Sequence, residues 1–180
     1  MDCAFRPPRA CEIIDASILR IGHVLSWLNV MLVAIIMLAI VFRYLFRIGF
    51  VWVEELEWHL YSVNVMMGIG YCVVRDTHIR TDVVSFRWSP NTKAIVEILG
   101  IIFLVLPLVI VLLVHAYSFW YESWRLREAS VAPMGLCCRW LIKAFIPTGL
   151  LLWGLASVSR LARCVVVLLN TPNEKDGEPK

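Results

Sequence analysis

Charged residues are scarce in this sequence: Asp, Glu, Lys and Arg together make up only 17% of its 180 residues. Hydrophobic residues make up 60%, and the mean hydropathy is +0.75. A soluble domain of this length cannot hide so much apolar surface, so the composition excludes an ordinary soluble globular protein. It indicates an integral membrane protein instead.

Long runs of basic residues are also absent, and the net charge is only +3. This argues against nucleic-acid binding and fits basic loops at the cytoplasmic face of a membrane protein. Acidic residues precede the first hydrophobic run, which is too long for the apolar core of a secretory leader. We therefore expect no cleavable signal peptide.

The motifs of the common enzyme families are missing: there is no GxSxG, no Walker A, no HExxH and no dinucleotide fingerprint. The six cysteines show no CxxC pair and no zinc spacing, and Cys137 and Cys138 are adjacent, which is poor geometry for a disulfide between them. We interpret the cysteines as small apolar fillers. We predict that the protein is not an enzyme and has no catalytic residue, metal site or cofactor.

Four hydrophobic segments stand out, and each approaches the roughly 20 residues that a helix needs to cross a bilayer. Because backbone polar groups must be paired in lipid, each segment is predicted to be a helix. The predicted spans cover residues of about 24–46, 54–74, 95–117 and 144–167. Pro107 should kink the third span, and Pro147 should lie in the first turn of the fourth, where it costs little. The predicted fold is an all-α integral membrane protein with four transmembrane helices plus short amphipathic interfacial helices.

The segments between the spans are assigned to the membrane surface and to water. Residues 11–22 predict a short amphipathic helix lying on the membrane, and the aromatic-rich loop 117–143 is typical of the lipid–water boundary. We assign residues 1–170 to a single four-span domain and residues 171–180 to a polar cytoplasmic tail.

The counts of Lys and Arg in the connecting segments predict the orientation in the membrane. They favour both termini, and the connection 75–93, on the cytoplasmic side. The lack of an internal repeat argues against a complete secondary transporter.

The head of the second span carries several polar residues in an apolar setting. Glu54 and Glu55 lie in the first turn near the outer surface, where water reaches them and the helix dipole favours anions by about 0.3–1 kcal/mol. Glu57, His59 and Asn64 lie deeper. They should need a protein neighbour, either another helix of this chain or a partner subunit.

Other interpretations of these polar residues stay open. Glu55 and His59 share one helical face at a spacing of i, i+4, which is compatible with catalysis in the membrane. His59 and His115 both lie at the outer ends of their predicted spans, which is compatible with one haem between them. The alternatives are therefore a haem-binding membrane redox subunit and a standalone four-helix transporter.

The segment from Trp52 to Val84 resembles the small membrane subunit of tripartite ATP-independent periplasmic (TRAP) transporters. In that family an aromatic residue precedes paired acids, the second span ends in small residues, and an Arg-x-x-His-hydrophobic-x-x-Asp segment follows. The matching positions are Trp52, Glu54, Glu55, Gly68, Gly70, Arg75, His78, Ile79 and Asp82. A later stretch matches in order at Glu128, Ser130, Pro133, Gly135, Trp140, Pro147 and Gly149. The sequence departs from the family at Thr77, where glycine is usual, and at MGLCC, where Leu-Pro is frequent.

The resemblance implies a subunit of a sodium-coupled transporter in the bacterial inner membrane. In this family a periplasmic binding protein captures an organic anion such as a carboxylate, and a large multi-span membrane subunit carries the substrate and the sodium ions. The small subunit, surrounded by membrane lipid, packs on the large one. On this basis we expect a set of partner-interface or structural residues: Trp52, Glu54, Glu55, Glu57, His59, Asn64, Gly68, Gly70, Arg75, His78, Asp82, Trp140 and Pro147.

Overall fold

The computed structural model describes residues 9–75 and 90–170. These form six α-helices: α1 (Arg9–Phe46), α2 (Val51–Val74), α3 (Pro90–Gly100), α4 (Leu106–Arg125), α5 (Arg139–Lys143) and α6 (Phe145–Asn170). A π-helical turn, Ile101–Val105, joins α3 to α4. No strand occurs in the described residues, so the prediction of an all-α fold is confirmed.

Among the described helices, three segments are long and apolar enough to cross a membrane: Glu12–Phe46, Thr92–Arg125 and Arg139–Val166. The chain is therefore an α-helical membrane protein. The helix α2 has 24 residues but is not one of these three, and it carries Glu54, Glu55 and Glu57 in its first two turns. A fourth transmembrane helix thus stays a prediction.

The helix α1 is continuous over 38 residues, so the prediction of a separate surface helix over residues 11–22 is wrong. Two side chains of this segment are buried in the bundle, since Asp15 is 7% and Ile18 is 2% exposed. Ile18 forms an apolar cluster with Val73 of α2 and Ala156 of α6. Packing within the protein therefore outweighs the amphipathic pattern that suggested a location on the lipid surface.

Two prolines mark the starts of helices. Pro107 lies at the start of α4, directly after the π-helical turn. Proline donates no N–H, and its ring clashes with the carbonyl four residues earlier, so an α-helix cannot continue through it undisturbed. The interruption predicted at Pro107 takes the form of this π-helical turn. Pro147 is the third residue of α6, which confirms its predicted place in the first turn.

The helix α6 packs against α1, α2, α3 and α4, and α2 also packs against α1. Small residues permit the close approaches. A Cβ atom at Gly149 of α6 would lie 2.5 Å from the carbonyl oxygen of Met66, and one at Gly70 of α2 would lie 3.3 Å from the Cβ of Leu152. At Gly68, a Cβ atom would meet nothing within 4 Å. The contact between α2 and α6 therefore depends on glycine at specific positions, as is common in membrane bundles.

Candidate functional site

A carboxylate at the start of α2 holds the loop that follows α4. Glu55 accepts hydrogen bonds from the hydroxyl of Ser130 and, at 2.6 Å, from the N–H of Leu136. The Ser130 hydroxyl also accepts the N–H of Ala132 at 3.2 Å, and the Ser130 N–H donates to the Leu136 carbonyl at 3.2 Å. We call Glu55, Ser130 and Leu136 the Glu55 brace. It folds residues 126–138 around one half-buried carboxylate.

The loop is shaped to admit this carboxylate. A Cβ atom at Gly135 would lie 2.8 Å from Oε2 of Glu55, so a larger residue would push the carboxylate away. Arg127, Met134 and Cys138 adopt left-handed backbone conformations with φ of 46°, 66° and 70°. Such conformations cost non-glycine residues on the order of 1–3 kcal/mol each and persist only when the surroundings hold them. The hydrogen bonds to Glu55 supply part of that support.

A second carboxylate ties the same loop to α4 and α5. Glu128 accepts hydrogen bonds from the ammonium of Lys143 and, at 2.6 Å, from the hydroxyl of Ser123. Its backbone carbonyl accepts the N–H of Arg139 at 3.0 Å. The ammonium of Lys143 also lies 4.0 Å from the centre of the Phe119 ring. The hydrogen bond from Lys143, followed by that from Ser123, holds the pKa of Glu128 below its usual value.

The lowered pKa of Glu128 predicts a pH dependence of stability. Because the folded-state pKa lies below the usual 4.5, ionised Glu128 stabilises the fold above that pH, and the stabilisation is lost as pH falls through the folded-state value. We expect the wild type to have a higher Tm than Glu128→Gln at neutral pH. The difference should shrink as pH drops below 4.5. Thermal unfolding of both proteins over a pH series checks this, and a constant difference would contradict it.

The opposite end of the bundle holds an ion pair between α1 and α6. Asp15 pairs with Arg163, and the hydroxyl of Ser159 donates to Oδ1 of Asp15 at 3.0 Å. Asp15 is 7% exposed and Ser159 only 2%. The Nε of Arg163 is buried and has no hydrogen-bond partner within the described part of the chain. These contacts draw the N-terminal part of α1 into the bundle.

A second ion pair at this end joins α3 to α6. Arg160 pairs with Glu97, and its Nη1 donates to the backbone carbonyl of Val73 at 3.2 Å. Val73 lies in the last turn of α2, where helix carbonyls lack partners within the helix. One arginine thus connects three helices. The sequence predicted neither ion pair, because Arg160 and Arg163 were used only to assign the orientation of the helices in the membrane. The acids Asp15 and Glu97, which lie in or beside apolar segments, could have indicated that basic partners were needed.

Removing the acid at this end should destabilise the bundle. Asp15→Ala leaves the buried hydroxyl of Ser159 and the guanidinium of Arg163 without their acceptor. Losing such an acceptor costs about 1–3 kcal/mol, so Tm should fall measurably in detergent. Glu12→Ala is the matched control, because Glu12 lies on the same helix and is exposed. Equal melting temperatures for the two variants would rule out a structural role for the pair.

The other polar residues at the head of α2 have varied surroundings. Glu54 pairs with Arg43 of α1, and both side chains are about half exposed. Trp52 is 44% exposed. His59 is half-buried and interacts electrostatically with Glu55 and Arg139. The structure thus brings Glu54, Glu55 and His59 to one end of the bundle, together with the loop.

Two deeper, half-buried residues of α2 each have one buried polar atom without a hydrogen-bond partner in the described part of the chain. Oε1 of Glu57 and Nδ2 of Asn64 make no hydrogen bond within the described residues, and Nε1 of Trp120 on α4 is in the same situation. Buried polar atoms left unpaired typically cost about 1–3 kcal/mol each. The described residues therefore supply no hydrogen-bond partner for these atoms, and the protein neighbour expected for Glu57 and Asn64 stays a prediction.

The remaining predicted residues are spread along the bundle. The Nε of Arg75 donates to the hydroxyl of Tyr71 at 3.1 Å, at the end of α2. Trp140 is half-buried in α5, and Pro147 is buried in α6. His78 and Asp82 lie outside the residues that the structure describes, as does the predicted tail, 171–180. His115 is exposed on α4, and its Nδ1 lies 2.8 Å from the carbonyl oxygen of Val111.

Comparison with known families identifies the chain. Residues 32–166 match the family described as tripartite ATP-independent periplasmic transporters, DctQ component. The chain belongs to this family. The DctQ component is the small permease component of TRAP transporters, so the resemblance stated above is confirmed. The matched range includes the Glu55 brace, both arginines at the other end and Gly149. Comparison with curated proteins gives no match.

Membership changes how the polar residues are interpreted. The DctQ family is a family of transporter components and not of enzymes, so the polar head of α2 belongs to a transport protein. Within the described residues, no group of three or more His, Cys, Asp or Glu side chains could hold a metal ion. The described contacts stabilise the fold: Glu55 holds a loop in place, and the ion pairs of Asp15 and Glu97 hold helices together.

Proposed function

We propose that this chain is the small permease subunit of a sodium-coupled TRAP transporter. It would pair with a large multi-span membrane subunit and a periplasmic binding protein for the uptake of organic anions such as carboxylates. The family match over residues 32–166 carries the proposal. The chain would act through helix packing, as a rigid wall beside the subunit that carries substrate and ions.

The internal contacts support a scaffold role. Glu55, Glu128, Asp15 and Glu97 are each engaged by hydrogen-bond donors or cations of the same chain. A carboxylate held in this way is not available to bind and release a coupling ion without breaking the bundle. We therefore assign sodium binding and substrate binding to the large subunit.

We further propose that α2 is the fourth transmembrane helix and that both termini face the cytoplasm of a bacterium. The helix α2 lies against both α1 and α6, and two of the three carboxylates at its head are paired within the chain. Glu55 meets the loop, and Glu54 meets Arg43. Neutralising contacts of this kind lower the cost of placing carboxylates near lipid. In this orientation the Glu55 brace faces the periplasm, where the binding protein delivers its substrate.

The helix α1 carries an apolar surface that the rest of the described chain leaves uncovered. One side of α1 shows exposed side chains that recur at helical spacing, and these share nearly the same angular position: Trp27, Met31, Leu38 and Leu45. An exposed apolar stripe on a membrane helix is covered by lipid or by another helix. We assign this stripe to contact with lipid and with the large subunit.

The proposal predicts that Glu55→Ala impairs assembly more than it alters sodium affinity. The physical reason is that the substitution releases the loop but removes no sodium ligand. Recovery of the variant with the large subunit, compared with the sodium dependence of uptake by the remaining complex, measures the two effects separately. A changed sodium affinity with intact assembly would oppose the proposal. Substrate uptake by this chain reconstituted alone would favour a standalone transporter instead.

The haem alternative has a simple test. His59 is half-buried on α2 and His115 is exposed on α4, where its Nδ1 lies within hydrogen-bonding distance of the carbonyl of Val111. We expect the purified chain to show no haem absorbance, with or without added haem. A stable haem spectrum that disappears in both His59→Ala and His115→Ala would establish the redox alternative.

A further inference from the structure

Two cysteines in the loop do not fit an apolar filler role. Cys137 and Cys138 are free and exposed, whereas Cys72 and Cys164 are half-buried. The interpretation of the cysteines as fillers is therefore wrong for the adjacent pair. Both thiols lie between Leu136, which donates to Glu55, and Arg139, whose N–H donates to the carbonyl of Glu128.

The two thiols belong to consecutive residues of the exposed loop. Interaction with the side chain of Cys137 raises the pKa of the Cys138 thiol above its usual value. Cys138 has φ of 70° and ψ of 41°, a left-handed conformation at the start of α5. The pair is thus accessible to reagents and located where the backbone is under strain.

We propose that Cys137 and Cys138 form a redox-active vicinal dithiol that closes to a disulfide by exchange with an alkyl disulfide. The thiolate of Cys137 attacks one sulfur of the alkyl disulfide, forms a mixed disulfide and releases one alkyl thiolate. The Cys138 thiol then loses its proton and attacks the Cys137 sulfur, which releases the second alkyl thiolate. The two cysteines lose two electrons and two protons, and the alkyl disulfide is reduced to two thiols.

The ring geometry makes this reaction reversible. Consecutive Cα atoms lie about 3.8 Å apart across a trans peptide, whereas disulfides usually join Cα atoms about 4.4–6.8 Å apart. The closed ring is therefore strained, and strained disulfides are reduced more easily than structural ones. The pair belongs with regulatory disulfides, not with permanent cross-links.

Closure of the ring acts on the loop contacts. The residues on either side of the pair supply the N–H groups that reach Glu55 and the carbonyl of Glu128. Moving two sulfurs into bonding distance changes the torsions at Cys137 and Cys138 and shifts these N–H groups. Oxidation should thus loosen the Glu55 brace. The physiological setting rests on the proposed orientation, which puts the loop in the oxidising periplasm.

The test uses the full chain, purified under reducing conditions and then treated with oxidised glutathione. Remaining thiols are alkylated, and the peptides are mapped by mass spectrometry. We expect a disulfide within the peptide that contains Cys137 and Cys138, formed in most molecules and reversed by mild dithiothreitol. Cys137→Ser and Cys138→Ser should each stop at the glutathione mixed disulfide. Persistent mixed disulfides in the wild type, or recovery of both wild-type cysteines as free thiols, would overturn the proposal.

Hydrogen exchange tests the coupling to the loop. We expect the amides of residues 128–139 to exchange at least about threefold faster after oxidation of the wild type, since opening of the loop sets their exchange rate. The double variant Cys137→Ser/Cys138→Ser should not respond to the oxidant. A closed ring with unchanged exchange would refute the coupling. Because the large subunit takes no part in either assay, their failure would leave the proposed subunit role standing.

Discussion

Glu55→Ala should lower Tm by several degrees and release the loop 126–138 from the head of α2. The substitution leaves the Ser130 hydroxyl and the Leu136 N–H without their shared acceptor. Leaving a buried donor unpaired costs more than a typical hydrogen bond contributes. Exchange of the Leu136 amide should accelerate about tenfold, because its protection depends on this contact. Thermal unfolding and hydrogen exchange in detergent measure both effects.

Two further variants sharpen this prediction. Glu54→Ala removes the adjacent carboxylate, which pairs with Arg43. Both side chains of this pair are about half exposed, and exposed ion pairs contribute little to stability. Its Tm should stay close to that of the wild type. Glu55→Gln keeps one oxygen as an acceptor and should fall between wild type and Glu55→Ala. If Glu54→Ala and Glu55→Ala behaved alike, the loop contacts would not be the reason for the loss.

Gly149→Ala should destabilise the bundle by about 2–3 kcal/mol, as overpacking of a close contact does. The new Cβ atom would lie 2.5 Å from the carbonyl oxygen of Met66 and 2.8 Å from its carbonyl carbon. Backbone atoms cannot rotate away as a side chain does, so α2 and α6 must separate. The loss should appear as a lower Tm and a lower yield of folded protein.

Gly68→Ala provides the matched control for Gly149→Ala. Gly68 lies on α2, and a Cβ atom there would meet nothing within 4 Å. Alanine is favoured over glycine inside a helix by roughly 0.5–1 kcal/mol, so this variant should be as stable as the wild type or slightly more stable. If both variants lost the same stability, the close approach at Gly149 would not be the cause.

Hydropathy predicted the helices well because lipid forces each spanning segment to pair its backbone internally. The sequence was a poorer guide to where α1 begins. A change from amphipathic to apolar sequence suggested a break near residue 22, but α1 continues through it. The burial of Asp15 and Ile18 depends on α6, more than a hundred positions further along the chain, and local patterns carry no information about such contacts.

The Glu55 brace shows the same limit. The paired acids marked Glu55 as a residue of interest, but its partners Ser130 and Leu136 are 75 and 81 positions away. The exposure of Cys137 and Cys138 could not be deduced either, because free cysteines are usually buried. For Glu57 and Asn64, both the sequence and the described side chains leave the polar partner unidentified.

We propose that this chain works as a packing subunit bound to a large TRAP membrane protein. The most direct measurement is affinity purification of the tagged chain after co-expression with a large TRAP subunit from the same genome. We expect a stable complex in equal amounts, recovered in lower yield with Glu55→Ala and unchanged with Glu54→Ala. Purification of the folded chain free of the large subunit, while transport activity is retained, would contradict the claim.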